Sequence, residues 1–376
     1  MHAKMHTLPG LEFEPDVTFE KFLQWLAQVQ LQACQSLALE LGMQLGVIGD
    51  LAVGATGGGA ETEGNPQLFC QSASIGAPPD AFNAGGQNWA LPAPLPAAMR
   101  ASGFVHFIAL LQANMQSVGG LRIDHVMGLM RLWWCLEGEP GGAYVYYPFE
   151  QLFALLRLES HRNECCVIGE DMGVVEDVFR EAMQQSALLN NRLFYFERDH
   201  SGCFIDPATH SVDTLFMTSN HDVPTLAAWW SAEDLSLQQS LGLLAQNDEQ
   251  TLADAQQVRE NDCLHALQWL AANNLLPESW REELAARQNG AQSEAQSKPY
   301  DSSLCAALHL ACARSKSRLF SLQLEDMQLM TEPLNIPGTY LQYPNWRRKQ
   351  KSGIETLFAD SRIRALFAAI NQERSE

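Results

Sequence analysis

The feature that most constrains this chain is a repeated transition. Short apolar or β-branched runs end on a carboxylate, and helix-forming sequence separates one such run from the next. Three instances stand out: Leu-Arg-Ile-Asp-His-Val with Asp124, Val-Ile-Gly-Glu-Asp-Met-Gly with Glu170, and Thr-Ser-Asn-His-Asp-Val-Pro-Thr with Asp222. Each reads as a buried strand emptying into a polar loop. Carboxylates at the ends of several successive strands point to the active-site face of an α/β barrel. Two carboxylates with a third as helper point to glycosidic-bond chemistry.

The rest of the chain keeps the same rhythm. Thr18 can cap a helix over residues 19–41 with apolar positions at Phe22, Trp25, Leu26, Val29 and Ala33. Residues 45–49 read as a short buried strand closed by Asp50. Residues 54–98, rich in Gly, Ala, Pro and Asn, read as an insertion loop. Helix is expected over 95–118, 149–160, 175–186 and 302–315, with a terminal helix over 354–371. A mainly helical, polar insertion is expected at about 226–300. Strands are expected at 45–49, 121–124, 166–169, 192–196, 214–218 and 319–322, about six where a complete (β/α)8 barrel has eight. The reading is an α/β chain, a TIM-type barrel with two strands fewer than closure requires, in a single catalytic domain over 1–376. Such an open sheet leaves edge strands and apolar surface uncovered.

Bulk properties exclude several partners. The 376 residues carry a net charge of -20, which argues against nucleic acid or an anionic membrane, since both select a basic face. The charge fits an uncharged substrate such as a sugar without selecting one. No apolar run reaches the roughly 18 residues of a membrane span. The first residues lack the apolar centre of a signal peptide, so a cytoplasmic location is expected. The nine cysteines form no Cys-x-x-Cys pair and read as scattered free thiols. No metal site or cofactor is expected: neither His125 nor the His221–Asp222 pair belongs to a His-x-x-x-His pair or a cysteine cluster.

Each acidic motif has a chemical and a plainer reading. In Arg122-Ile-Asp124 the two charged side chains share one face of a strand. Arg122 would then keep Asp124 ionised, as a nucleophile requires; an ordinary ion pair at a strand end has the same sequence. Burial or a neighbouring carboxylate would raise the pKa of Glu170 and favour the proton donor; a carboxylate at a helix N-terminus is the alternative. His221 and Asp222 offer hydrogen bonds to sugar hydroxyls, and an Asx turn or a helix N-cap accounts for them equally. The three motifs together carry more than any one, because their separations leave room for one or two βα units and put all three at one end of parallel strands.

The ordered set of motifs resembles the 4-α-glucanotransferases, called amylomaltase in bacteria and disproportionating enzyme in plants. The matching strings run in family order over nearly the whole chain. Among them are Asp-Leu-Ala-Val-Gly at 50–54, Gly-Gln-Asn-Trp-Ala-Leu-Pro at 86–92, Arg-Ile-Asp-His at 122–125, Gly-Glu-Asp at 169–171, His-Asp-Val-Pro-Thr at 221–225, Gln-Leu-Glu-Asp at 323–326, Asn-Ile-Pro-Gly-Thr at 335–339 and Asn-Trp-Arg-Arg-Lys at 345–349. The resemblance implies that Asp124 is the nucleophile, Glu170 the general acid/base and Asp222 the carboxylate that stabilises the transition state. It implies substrate contacts for Asp50, Arg122, His125 and His221, and places Asn88 and Trp89 in a loop along the glucan path. The implied reaction is retaining transfer of α-1,4-glucan segments between maltooligosaccharides, with the carboxyl groups of Asp124 and Glu170 about 5–5.5 Å apart. Family members begin with further residues and the first two barrel strands, which the resemblance does not find here. An α-glucan hydrolase and an inactive glucan-binding or partner-binding remnant are the alternatives.

Overall fold

The computed structural model describes residues 17–79, 86–138, 141–173, 175–244, 249–289 and 298–375. The chain divides into two compact units, residues 1–190 and 191–376.

In the first unit four parallel strands come from separate βα repeats. They are β1 (Ile48–Leu51), β4 (Gly120–Ile123), β7 (Cys166–Gly169) and the start of β8 (Leu189–Leu193). The register sets the site: Ile123 pairs with Leu51 on one side and with Gly169 on the other. The residues that follow Ile123 and Gly169 are Asp124 and Glu170, so the two carboxylates leave adjacent strands at one level. Leu121 and Ile123 face the apolar core, which leaves Arg122 and Asp124 on the opposite face, as the two-residue period dictates. The expected buried strand at 45–49 lies instead at Ile48–Leu51, and Asp50 sits inside it rather than closing it. Among the described residues its strand partner is β4 alone, so β1 is an edge there, and Ile48 is exposed.

Residues 80–85 of the expected insertion loop lie outside the described residues, and its described residues, 54–79 and 86–98, are not structureless. They hold a short helix (Ala60–Gly64), β2 (Phe69–Ala77) and β3 (Gln87–Pro94). With β5 (Arg131–Leu136) and β6 (Gly142–Tyr146) these form an antiparallel sheet in the order β3-β2-β5-β6. Two irregularities of register, between Cys70 and Ser74 and between Ile75 and Gly76, break the alternation that marks a strand in sequence. Pro92 and Pro94 read as strand breakers but lie in β3, an edge strand, where proline is tolerated. Gly76 is required: a Cβ there would stand 1.9 Å from the carbonyl oxygen of Gln87.

The single helix expected over 95–118 is two, Pro96–Ala101 and Val105–Met115. Gly103 and Phe104 both take left-handed backbone, with φ of 63° and 59°, and this interrupts the hydrogen-bond ladder. The first helix, Val17–Glu40, contains Thr18 instead of being capped by it. Phe19, Phe22, Trp25, Val29, Leu31 and Leu37 on it are exposed, a long apolar stripe of the kind that marks a contact surface.

In the second unit β9 (Thr214–Met217) pairs in parallel with β10 (Leu319–Ser321). The strand expected at 192–196 begins earlier, at Leu189, and residues 194–196 form a 3-10 turn. Its alternation is Leu189, Asn191, Leu193, hidden in sequence by a polar residue at the centre. Asn191 is buried, and its Nδ2 donates to Leu215 O at 3.3 Å. Residues 226–289 are largely helical, in Leu226–Ser231, Glu233–Ser240, Glu249–Ala272 and Arg281–Gln288. They pack around Phe194, Phe216, Trp229, Trp230, Trp269 and Trp280. Helix Ser302–Ala313 is almost wholly buried, and Ile354–Ala359 and Ser361–Ser375 close the chain.

Candidate active site

In the first unit the site begins with Arg122, which is 5% exposed. Its Nη1 meets Asp50 Oδ1 at 2.7 Å and its Nη2 meets Asp124 Oδ1 at 3.3 Å. One buried guanidinium therefore holds two carboxylates, one from the neighbouring strand and one from two residues on. The Asp124 backbone is fixed in turn, its N–H donating to Leu51 O at 2.9 Å.

Glu170 lies beside this cluster. The Glu170 N–H donates to Ile123 O at 3.0 Å, and Val126 N–H donates to Glu170 O at 3.0 Å. Gly169 permits that approach, since a Cβ there would come within 2.8 Å of Val126 Cγ1. The carboxylate accepts the N–H of Met172 at 2.7 Å and that of His125 at 2.9 Å. Burial pushes its pKa up to about 7. Asp124 adds to the rise, while the two N–H donors and Arg122 oppose it. The following helix starts only at Asp177, so the helix-terminal reading of Glu170 falls away.

His125 takes left-handed backbone, with φ of 46°, and its N–H points to Glu170. Burial, with Arg131 assisting, lowers its imidazole pKa to about 4, so it is a neutral hydrogen-bonding group at pH 7. Trp89 packs edge-on against it with ring centroids 5.4 Å apart, and Trp89 Nε1 donates to Gln87 Oε1 at 3.1 Å. The Asn88 carbonyl accepts from Ala90 N and from Ser74 Oγ, both at 2.8 Å, so this side chain shapes the β2–β3 hairpin. A pocket of about 450 Å³ borders Asp50, Asp124 and His125 and is walled mainly by apolar residues, among them Leu51, Phe69 and Leu129.

In the second unit Asp222 follows β9 through Thr218, Ser219, Asn220 and His221. Asn220 Oδ1 accepts the Asp222 N–H at 2.9 Å, an Asx turn built by Asn220. Thr225, not Asp222, caps the next helix, its hydroxyl accepting from Ala228 N at 3.2 Å. The Asp222 side chain is left half-exposed between His221, whose Nε2 lies 3.2 Å from Oδ2, and Asn335, whose Nδ2 donates to Oδ1 at 3.1 Å. Asn345 closes the Asn-Ile-Pro-Gly-Thr turn that carries Asn335, accepting from Ile336 N at 3.0 Å and donating to Thr339 Oγ1 at 2.9 Å. The Trp346 ring lies 5.0 Å from that of His221.

A family model described as 4-alpha-glucanotransferase matches residues 9–355. The chain belongs to this family. The 4-alpha-glucanotransferase of Haemophilus influenzae is 38% identical over 361 residues, 96% of this chain and 50% of that protein. That of Mycobacterium bovis is 33% identical over 94% of this chain and 48% of its own length. The crystal structure of amylomaltase from Corynebacterium glutamicum matches with a TM-score of 0.84 at 27% identity, over 98% of this chain and 52% of that one. The amylomaltase from Streptococcus agalactiae in complex with acarbose shares the fold, with a TM-score of 0.67 at 17% identity over 94% of this chain and 62% of that one. The chain spans about half the length of the curated relatives it matches.

For this 4-alpha-glucanotransferase family member, the structure brings Asp50, Arg122, Asp124, His125, Glu170 and Trp89 into one cluster, and His221 and Asp222 into another. Sequence reasoning quoted Asn335 and the Gln-Leu-Glu-Asp string at 323–326 without giving them a role. The exposed Asn-Ile-Pro-Gly turn signalled a shaped loop, but nothing local signalled which side chain Asn335 would meet.

Proposed function

We propose that the chain catalyses retaining transfer of α-1,4-glucan segments between maltooligosaccharides. The observation that carries this reading is the contrast between two carboxyl groups on neighbouring strands. Asp124 is held by a buried arginine, while burial pushes Glu170 up to about 7. A carboxylate held by a cation suits the nucleophile, and a carboxyl raised toward neutrality by burial suits the acid/base.

Asp124 attacks the anomeric carbon while Glu170 gives its proton to the departing glycosidic oxygen. The new Asp124–glucosyl ester replaces the broken glycosidic bond. Glu170, now ionised, takes the proton from the 4-hydroxyl of an acceptor glucan, which displaces Asp124. Two inversions retain the anomeric configuration. Asp222, oriented by His221 and Asn335, steadies the positive charge that develops on the sugar. Asp50, Arg122, His125 and His221 bind hydroxyls around the cleaved bond, and Asn88 and Trp89 line the acceptor side, where Trp89 offers a ring face to a sugar. On this reading residues 1–376 serve as one catalytic domain. The acarbose complex of the Streptococcus agalactiae relative supports an α-glucan substrate. On the same reading the chain acts in maltose and glycogen metabolism in the cytoplasm. Among the described residues no helix is long and apolar enough to cross a membrane.

Incubation with maltotriose tests the proposal. Transfer yields oligosaccharides longer than the substrate, hydrolysis yields only glucose and maltose, and an inert protein yields neither. Equal product from the unmodified chain and from Asp124→Asn would mark a remnant that only binds.

A further inference from the structure

We propose that Asp326 is a positioning residue for Asp222, its buried carboxylate holding both ends of segment 219–226 and so setting where the Asp222 carboxylate stands. The proposal rests on the reading of Asp222 as a group that acts on the substrate.

Asp326 is 0% exposed. Its Oδ1 accepts the Leu226 N–H at 2.7 Å, and its Oδ2 accepts the Ser219 hydroxyl. Those two donors flank the stretch that carries His221 and Asp222. The neighbouring Gln323 adds a third hold when its amide is turned to match the donors and acceptors around it: the oxygen then accepts the His221 N–H at 3.3 Å and the NH2 donates to Glu325 Oε2 at 3.1 Å. Gln350 secures Glu325 from the far side, with Nε2 donating to Oε1 at 2.6 Å. The short helix Leu324–Met327 therefore grips the loop at Ser219, at His221 and at Leu226.

A cap for helix Leu226–Ser231 does not explain the arrangement. Thr225 already caps it locally through the Ala228 N–H. A buried carboxylate is costly to keep in a protein interior, and burial raises that of Asp326 to about 6 against the pull of its two hydrogen bonds. What it adds over a hydroxyl is two acceptor atoms on one rigid fork, which can fix both ends of the segment at once. The segment then has a defined span, the Asn220 turn sits on that span, and Asp222 projects from the turn toward Asn335. Loss of one anchor leaves the turn intact and moves its base. A displacement of about 1 Å at a reacting group is enough for a large loss of rate.

The test uses the full chain with Asp326→Asn and Asp326→Ala, read by hydrogen–deuterium exchange and by maltotriose transfer. In Asp326→Ala, exchange over 219–226 should rise about tenfold or more, while Thr214–Met217 and Ser302–Ala313 stay within about twofold of the unmodified protein. Asp326→Asn keeps one acceptor and should show the same pattern more weakly. Per folded molecule its kcat should fall about tenfold with KM unchanged, because a group that acts in the transition state has moved. Unchanged exchange over 219–226, a uniform rise throughout residues 191–376, or a kcat equal to that of the unmodified chain would overturn the proposal. If the unmodified chain transfers no glucan, the proposed function fails, and the exchange pattern still decides whether Asp326 fixes the segment.

Discussion

Replacing Glu170 by Gln separates the acid/base role from a structural one through the pH dependence of stability. Glu170 is 7% exposed, and its pKa is raised from 4.5 to about 7 chiefly by burial. A carboxyl whose folded pKa is raised favours the folded state below the unfolded pKa. That advantage is lost as pH climbs through the folded pKa. A rise of about 2.5 pKa units corresponds to about 3 kcal/mol at the plateau, of which about 2–3 kcal/mol develops between pH 5 and pH 8. Glutamine has no such titration. It also presents an NH2 where both neighbours, Met172 N and His125 N, are donors, so about 1–2 kcal/mol is lost at every pH. Glu170→Gln should therefore be less stable than the unmodified chain at pH 5 and match or exceed it at pH 8. In thermal melts the gap between the two melting temperatures should move by several degrees across that range. Parallel melting temperatures from pH 5 to pH 8 would refute the argument that Glu170 is held protonated by burial. In the maltotriose assay the same variant should lose about 10²–10⁴ in kcat.

Arg122→Gln removes the cation shared by Asp50 and Asp124 and should cost about 1–3 kcal/mol, discounted for the half-exposed carboxylates. Because Arg122 holds the Glu170 pKa down, the alkaline limb of the kcat profile should move to higher pH; an unmoved limb contradicts the coupling. Asn335→Ala deletes the donor to Asp222 Oδ1 and should lower kcat/KM for maltotriose about tenfold, equivalent to about 1.4 kcal/mol, with little change in melting temperature. Replacing Phe22 and Trp25 by Ser breaks the exposed stripe of helix Val17–Glu40. Light scattering should then show less self-association than in the unmodified chain, and equal scattering would exclude that stripe as the sticky surface.

Four of the parallel strands, β4, β7, β9 and β10, were legible because each is a mainly apolar run between helical segments, and runs of that kind form by local preference. β7 lies at the expected residues, and β4, β9 and β10 lie within one residue of expectation at each end. The junctions that hold Asp124, Glu170 and Asp222 were legible for the same reason. Reading failed where neighbours override local pattern. Irregular register hides the alternation of β2, edge placement lets β3 carry proline, and the buried Asn191 interrupts the apolar code of β8. The break between Pro96–Ala101 and Val105–Met115 turns on two left-handed residues, of which Phe104 gives no warning.

The sequence alone determined which carboxylates the chain owns, that Asp124 and Glu170 stand where strands end, and that Arg122 shares a face with Asp124. These follow from spacing along the backbone, which is fixed by covalent geometry and the period of a strand. Tertiary structure decided their electrostatics and their aim. The Glu170 pKa depends on how much water its neighbours exclude, a property of packing that no local string encodes. The supports of Asp222 lie far off in the chain, Asn335 at 113 residues and the Asp326 bond to Leu226 at 100. Only the folded chain brings such partners within hydrogen-bond reach, so the sequence shows that an acid is present and the fold decides which way it points and when it holds its proton.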